Sequence, residues 1–202
     1  MISARVICHT LYSCAMSDVA TSKGTILKSL YKFITTELND AQLESFRARL
    51  DPEDASWLQS RILSSGRVPE STLNRMTEAA ASVIGENVES FGNRAGRAEL
   101  LDSVKVYRFL FAILTPPALL ARASSLWSTV HSHGRLDVIE STGSSARVRL
   151  SDYPSERAHC ARLGGWIEGI SEMTKVHNPR MEHDICQTRG EGDCEWVVTW
   201  SS

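Results

Sequence analysis

The period of the apolar residues changes once along this chain, at Gly134, and that change limits what it can fold into. Between Gly24 and His133 apolar residues recur every three or four positions, as in Ile26, Leu27, Leu30, Phe33 and Ile34, and again in Leu43, Phe46 and Leu50. Such spacing makes one-sided helices. Asp51-Pro52-Glu53 opens the third: Asp51 caps free amides, Pro52 suits the first turn, and Glu53 and Asp54 face the positive end of the helix dipole. Trp57, Leu58 and Ile62 belong to it. After a break at Ser64-Ser65-Gly66 and Pro69, the residues Leu73, Met76, Ala80 and Ile84 mark a fourth helix. The spacing predicts further helices over 86–101, 104–114 and 115–133, the last capped by Thr115 and stopped by Gly134.

Beyond Gly134 the apolar residues alternate. Leu136, Val138 and the stretch 147–150 flank Ser141-Thr142-Gly143-Ser144-Ser145, a hairpin signature. A helix over 155–174 follows, and then a second hairpin pairs 181–186 with 195–200. The chain therefore reads as α+β: a helical N-terminal bundle over 23–133, packed on a C-terminal antiparallel ββαββ part over 134–202.

Its 202 residues suit one domain. Residues 1–22 read as a disordered leader, because the short apolar stretch after Arg5 is interrupted by His9, Thr10 and Ser13 and so makes a poor secretion signal; Met16 is an alternative start. A net charge of -2 argues against a general nucleic-acid surface. The longest apolar run, 104–120, contains Lys105, Arg108 and Thr115-Pro116-Pro117, which argues against a membrane span. Five cysteines is an odd number, and three lie in the last 43 residues, which favours metal binding in the reducing cytoplasm over a disulfide framework. Cys8 and Cys14 lie in the leader.

The residues that carry chemistry are Cys160, His183, Cys186 and Cys194, spaced C-x22-H-x2-C-x7-C around an Arg189-Gly190-Glu191-Gly192 turn. Three thiolates and an imidazole form a closed tetrahedral set suited to structural zinc, with Cys160 at a helix start that favours its thiolate. Residues three apart on a straight strand face opposite ways, so His183 and Cys186 meet at one ion only across a bend or bulge. Glu182 is thus a competing ligand. The alternatives are buried cysteines beside an ordinary histidine, or a redox pair of Cys186 and Cys194.

Together with the C-x3-G-G-W-x2-G helix from Cys160 and the closing W-x-x-x-W at Trp196 and Trp200, this spacing resembles the 4-vinyl reductase domain. That domain is similar to sensor modules of phenol-responsive transcription activators, to haem-NO-binding-like proteins and to a subunit type of vesicle-tethering complexes. In the phenol-sensor branch the zinc site uses Cys, an acidic residue, Cys and Cys at these spacings, so His183 departs from it. The likeness is specific over about the last 45 residues. The front, including Leu101 to Leu114 and the segment from Leu119 to Trp127, looks like uncharacterised bacterial proteins of related fold. The resemblance implies homodimers and a buried pocket for a small hydrophobic or aromatic molecule, with Tyr107, Phe111, Trp127 and Trp166 as candidate lining residues beside their plainer role as core.

Haem finds only His131 and His133 as axial ligands at a helix end, and no tyrosine-serine-arginine signature for its propionates is recognised. Catalysis is not supported: a three-cysteine site with a fourth protein ligand is closed, and no deaminase signature or nucleophile elbow is present. Gly164, Gly165 and Gly169 suggest close helix packing. Arg94, Arg97, Lys105 and Arg108 read as a solvated basic stripe. The expected function is a stand-alone zinc-stabilised sensor or carrier of a small molecule, acting through a dimer or a partner protein. An assembly subunit with a filled pocket is the alternative, and an enzyme of vinyl or tetrapyrrole substrates rests on the family name alone.

Overall fold

The computed structural model describes residues 19–59, 63–103, 115–174 and 176–201. In chain order these form β1 (Thr21–Lys23), α1 (Gly24–Glu37), α2 (Asp40–Arg49), α3 (Pro52–Gln59), β2 (Arg67–Pro69), α4 (Glu70–Ile84), α5 (Val88–Ser103), α6 (Pro116–Val130), β3 (Arg135–Ser141), β4 (Ser145–Ser151), α7 (Arg157–Glu172), β5 (His177–Ile185) and β6 (Cys194–Ser201). It is a mixed fold of helices and an antiparallel sheet. The helix expected over 104–114, with Tyr107 and Phe111, lies outside the described residues.

The helical half has its own core of Leu27, Leu30 and Ile34 from α1, Phe46 from α2, Leu73 and Met76 from α4, and Phe91 and Ala95 from α5. The expected start of α3 is in place, with the Asp54 amide donating to Asp51 Oδ1 at 2.8 Å. The second core lies under the sheet, whose strand order is β3-β4-β6-β5. There Val148, Leu150, Trp196 and Val198 meet Leu163, Ile167 and Ile170 of α7 and Leu119, Leu120 and Trp127 of α6.

The two halves join where α5 crosses α7. A Cβ on Gly96 would stand 1.8 Å from the Arg162 carbonyl oxygen, and one on Gly165 would stand 1.9 Å from that of Asn93. Backbone touches backbone at this crossing, so only glycine fits. The glycines of α7 are expected from the sequence to press it against the sheet or a partner subunit; Gly164 does face Met181 and Trp196 of the sheet, whereas Gly165 and Gly169 pack on α5.

Part of the expected leader is ordered. Thr21 and Ser22 pair with Pro69 and Val68 in a two-stranded antiparallel sheet, and the Ser132 amide donates to the Thr21 carbonyl at 2.9 Å. This strap ties the end of α6 to the start of α4. Strands of three residues are too short to leave a periodicity in the sequence.

Candidate metal centre

Each of the four residues is set by a different local device. Cys160 lies in the first turn of α7, its amide bonded to the Glu156 carbonyl at 2.9 Å. Cys194 opens β6, opposite Leu150 of β4. Cys186 directly follows β5 and leads into a single 3₁₀ turn over Gln187–Arg189, closed by Gly190 at φ 78°, a left-handed position that suits glycine. That turn aims the Gln187 amide at Cys194 Sγ, 3.3 Å away.

His183 reaches the same place because the β5–β6 register shifts between His183 and Ile185. The irregularity supplies the bend that the H-x2-C spacing requires. Glu182, the competing ligand, is exposed.

Ligand atoms of Cys160, His183, Cys186 and Cys194 all lie within 4.8 Å of one another. Cys160 Sγ and Cys194 Sγ stand 3.6 Å apart. Two thiolates on a tetrahedral ion, each at about 2.3 Å, would stand about 3.8 Å apart, so the pair is spaced for an ion without rearrangement. The His183 ring lies flat on Trp196, centroids 4.5 Å apart, and its Nε2 is buried with no hydrogen-bond partner. The hydrogen bond from Cys160, with the Gln187 amide beside it, holds the Cys194 thiol down against the opposing effect of burial. The Cys160 thiol is pushed up, first by its bond to Cys194 and then by burial.

A cleft of about 540 Å³ opens beside the cluster, lined by Cys160, His183 and Cys186 together with Ala161, Gly164, Met181 and Trp196, and rimmed by Arg157 and Arg189. The Trp196 indole N–H is buried and unpartnered. Neither Trp127 nor Trp166 is among the lining residues. Trp127 is a core residue, its indole N–H donating to the His133 carbonyl at 2.8 Å and its face stacked on His131 at 3.9 Å. Trp166 is half-buried and packs against the core under the sheet. The basic stripe is paired where it is described: Arg94 bonds Glu37 and Glu86, and Arg97 bonds Glu168 and Glu172.

Sequence reasoning missed Tyr153, Ser155 and Arg157, which alternate as the tyrosine-serine-arginine triplet thought to be missing. The triplet does not act as one unit. Tyr153 is buried and stacks on His159 at 4.4 Å, Ser155 faces Cys194, and Arg157 is exposed and pairs with Glu89.

No helix among the described residues is long and apolar enough to cross a membrane. No family model and no curated protein match the chain, so the 4-vinyl reductase resemblance is carried by no such match. Solved structures do match. An H-NOX protein from K. algicida, described as Fe(II) unliganded, aligns at 12% identity with a TM-score of 0.70, covering 89% of this chain and 97% of that one. The S. oneidensis H-NOX protein in an Fe(II)NO state aligns at 14% identity and 0.69, covering 89% and 99%. An oxygen-binding H-NOX domain related to soluble guanylate cyclases aligns at 15% and 0.63, covering 89% and 95%.

These matches overturn the expectation of structural zinc as the cofactor. The proteins that share the fold are described by an Fe(II) state, an Fe(II)NO state, an oxygen complex and, in one case, haem redox potential and porphyrin distortion. The likeness extends over nearly the whole described chain, and the haem-NO-binding side of the resemblance is the side it supports: the chain has the fold of the H-NOX domains.

Proposed function

We propose that this chain is a small-molecule-binding sensor module of H-NOX fold in which a thiolate-imidazole metal centre, rather than haem, borders the ligand cleft. Haem does not fit the described residues as they stand. It needs an imidazole nitrogen free to bind iron and partners for two propionates. Among the described histidines, His131 bonds Ser22 and stacks on Trp127, His159 stacks on Tyr153, His133 bonds Ser132, His177 is exposed on β5, and His183 belongs to the cysteine cluster. The buried guanidinium of Arg162 is already shared by Glu70 and Glu99. No step is therefore assigned to haem.

The observation that carries the reading is the convergence of four soft ligand atoms within 4.8 Å at the wall of a 540 Å³ cleft. Three cysteines and a histidine suit a thiophilic divalent ion, and filling all four positions leaves it closed to hydrolytic chemistry. The cleft is within the usual size for a small ligand. Gly164 and Ala161 keep its floor low, Met181 supplies an adaptable apolar wall, and the Trp196 N–H offers a hydrogen bond. A small apolar or aromatic molecule bearing one acceptor matches that lining. Occupancy would be passed on through a homodimer or a partner protein.

The test is metal content by mass spectrometry on protein purified without added metal. About one thiophilic ion per chain, lost in both Cys194→Ser and His183→Ala together with thermal stability, is the expected result. A folded native protein with no ion defeats the reading. An assembly subunit with no ligand would need a broad exposed apolar face; the exposed large apolar residues described, Val19, Leu63, Leu101 and Ile139, lie on separate elements.

A further inference from the structure

A second cluster of charge lies in the interior, away from the cysteines. Glu70 on the first turn of α4, Glu99 on α5 and Arg162 on α7 are all buried. Arg162 donates through Nε to Glu99 at 3.0 Å and through Nη1 to Glu70 Oε1 at 3.1 Å. The other oxygen of Glu70 accepts from Ser22 Oγ of β1, and that hydroxyl lies 2.8 Å from His131 Nδ1. Tyr153 and His159 stack on each other and each stands edge-on to His131, whose Nδ1 is 4.0 Å from the same carboxylate; among the described residues the Tyr153 hydroxyl and His159 Nδ1 are buried with no hydrogen-bond partner.

Two features separate this arrangement from an ordinary ion pair. Glu99 holds the guanidinium through a different nitrogen, so its position and charge persist if Glu70 departs. More donors surround Glu70 than it engages, and buried polar atoms without partners are uncommon enough to need an explanation. An ionised carboxylate accepts about four hydrogen bonds, which matches a guanidinium N–H, two hydroxyls and an imidazole. Burial opposes charge on Glu70, but Arg162 and the polar groups around it outweigh burial and hold the carboxyl down at about 2. Glu70 also enters from the end of the β1–β2 strap, an element of two three-residue strands.

We propose that Ser22, Tyr153, His159 and Arg162 form a receptor for a small carboxylate, which Glu70 fills from within the chain, so that a free carboxylate competes with the strap for the same donors. Displacing Glu70 would loosen the strap, and with it the tie between the end of α6 and the start of α4. This site shares no ligand with the cysteine cluster. It stands or falls separately from the proposed metal centre.

The test uses the full chain and two probes, sodium formate and sodium acetate, against sodium chloride at equal ionic strength. Glu70→Ala empties the receptor. The expected result is a lowered thermal midpoint that formate or acetate raises along a saturating curve, with a response to chloride at least tenfold weaker. Adding Arg162→Met to Glu70→Ala should abolish the rescue. In the wild type Glu70 competes at high effective concentration, so formate acts only weakly, and it should speed hydrogen exchange at the Glu70 and Gly24 amides that bond Ala20 and Gly66. If Glu70→Ala does not fold with either probe, the wild-type exchange decides. Equal effects of formate and chloride on the folded variant, or on wild-type exchange where the variant fails, reduce Glu70 to a structural ion pair and overturn the proposal.

Discussion

The imidazole of His183 lies on the indole of Trp196 with the two planes 8° from parallel. A ring held face-down in this way keeps one direction, and His183 Nε2 is the buried, unpartnered atom that the direction presents. Trp196 would thereby orient the proposed ligand without touching an ion, the role that outer-shell groups play around metal sites. Trp196→Leu should lower metal affinity about 10-fold or more, read by chelator competition at a temperature where both proteins are folded. Unchanged affinity would mean that the β5 irregularity alone positions His183.

The α5–α7 crossing predicts an unusually intolerant pair of glycines. A methyl at Gly96 or Gly165 would sit inside van der Waals contact with a carbonyl oxygen of the other helix, and backbone yields less readily than a side chain. Gly96→Ala and Gly165→Ala should each cost at least the about 1–3 kcal/mol typical of overpacking, measured by urea denaturation. Gly143→Ala is the control, since nothing lies within 4 Å of its added carbon. Equal stability of all three would show that the helices can separate freely.

The C-terminal site was legible in the sequence because its spacing is local: His183, Cys186 and Cys194 lie on one hairpin, and only Cys160 is distant. The register shift that lets His183 and Cys186 converge leaves no mark in composition; the ligand spacing demanded a bend, and the pairing of β5 with β6 supplies it. The Glu70–Arg162–Glu99 chain was not legible, since its members are far apart and charged residues are usually solvated. A signal was nevertheless present. Arg162 stands three and seven residues before Gly165 and Gly169, and Glu99 stands seven and three after Gly92 and Gly96, so each charge shares its helix face with the glycines that bury it.

The interior histidine sets a direction for pH dependence. Burial holds the His131 imidazole low, at about 3, against the opposing pull of Glu70 and with help from His159, Arg162 and Arg67. In the unfolded chain the same group titrates near 6.5, so between those values the unfolded state binds more protons and stability falls as pH drops. Glu70, held at about 2, adds a loss only below about 4.5. Between pH 6.5 and 5 the slope contributed by His131 is therefore up to about 1.4 kcal/mol per pH unit. His159, which burial holds at about 4, adds a slope of the same sign, so His131→Asn should make the urea midpoint fall less steeply across that interval than in the wild type, without abolishing the fall. Equal slopes would remove His131 from the account of acid sensitivity.

Haem is invited by the fold and refused by the side chains. Free haemin added to the full chain should give absorbance that rises with haemin alone, without an intense band saturating at one equivalent. The reason is local: His131 Nδ1 is engaged by Ser22, His183 belongs to the cysteine cluster, and Arg162 is committed to two carboxylates. Each would have to be undone before these groups could serve a porphyrin, and freeing Arg162 would strand buried charge at a cost of about 3–5 kcal/mol. A one-to-one band that survives in Cys194→Ser, where adventitious thiolate ligation is weakened, would mean that the interior opens to admit haem. The proposed metal-bordered cleft would then lose its place as the sensing site.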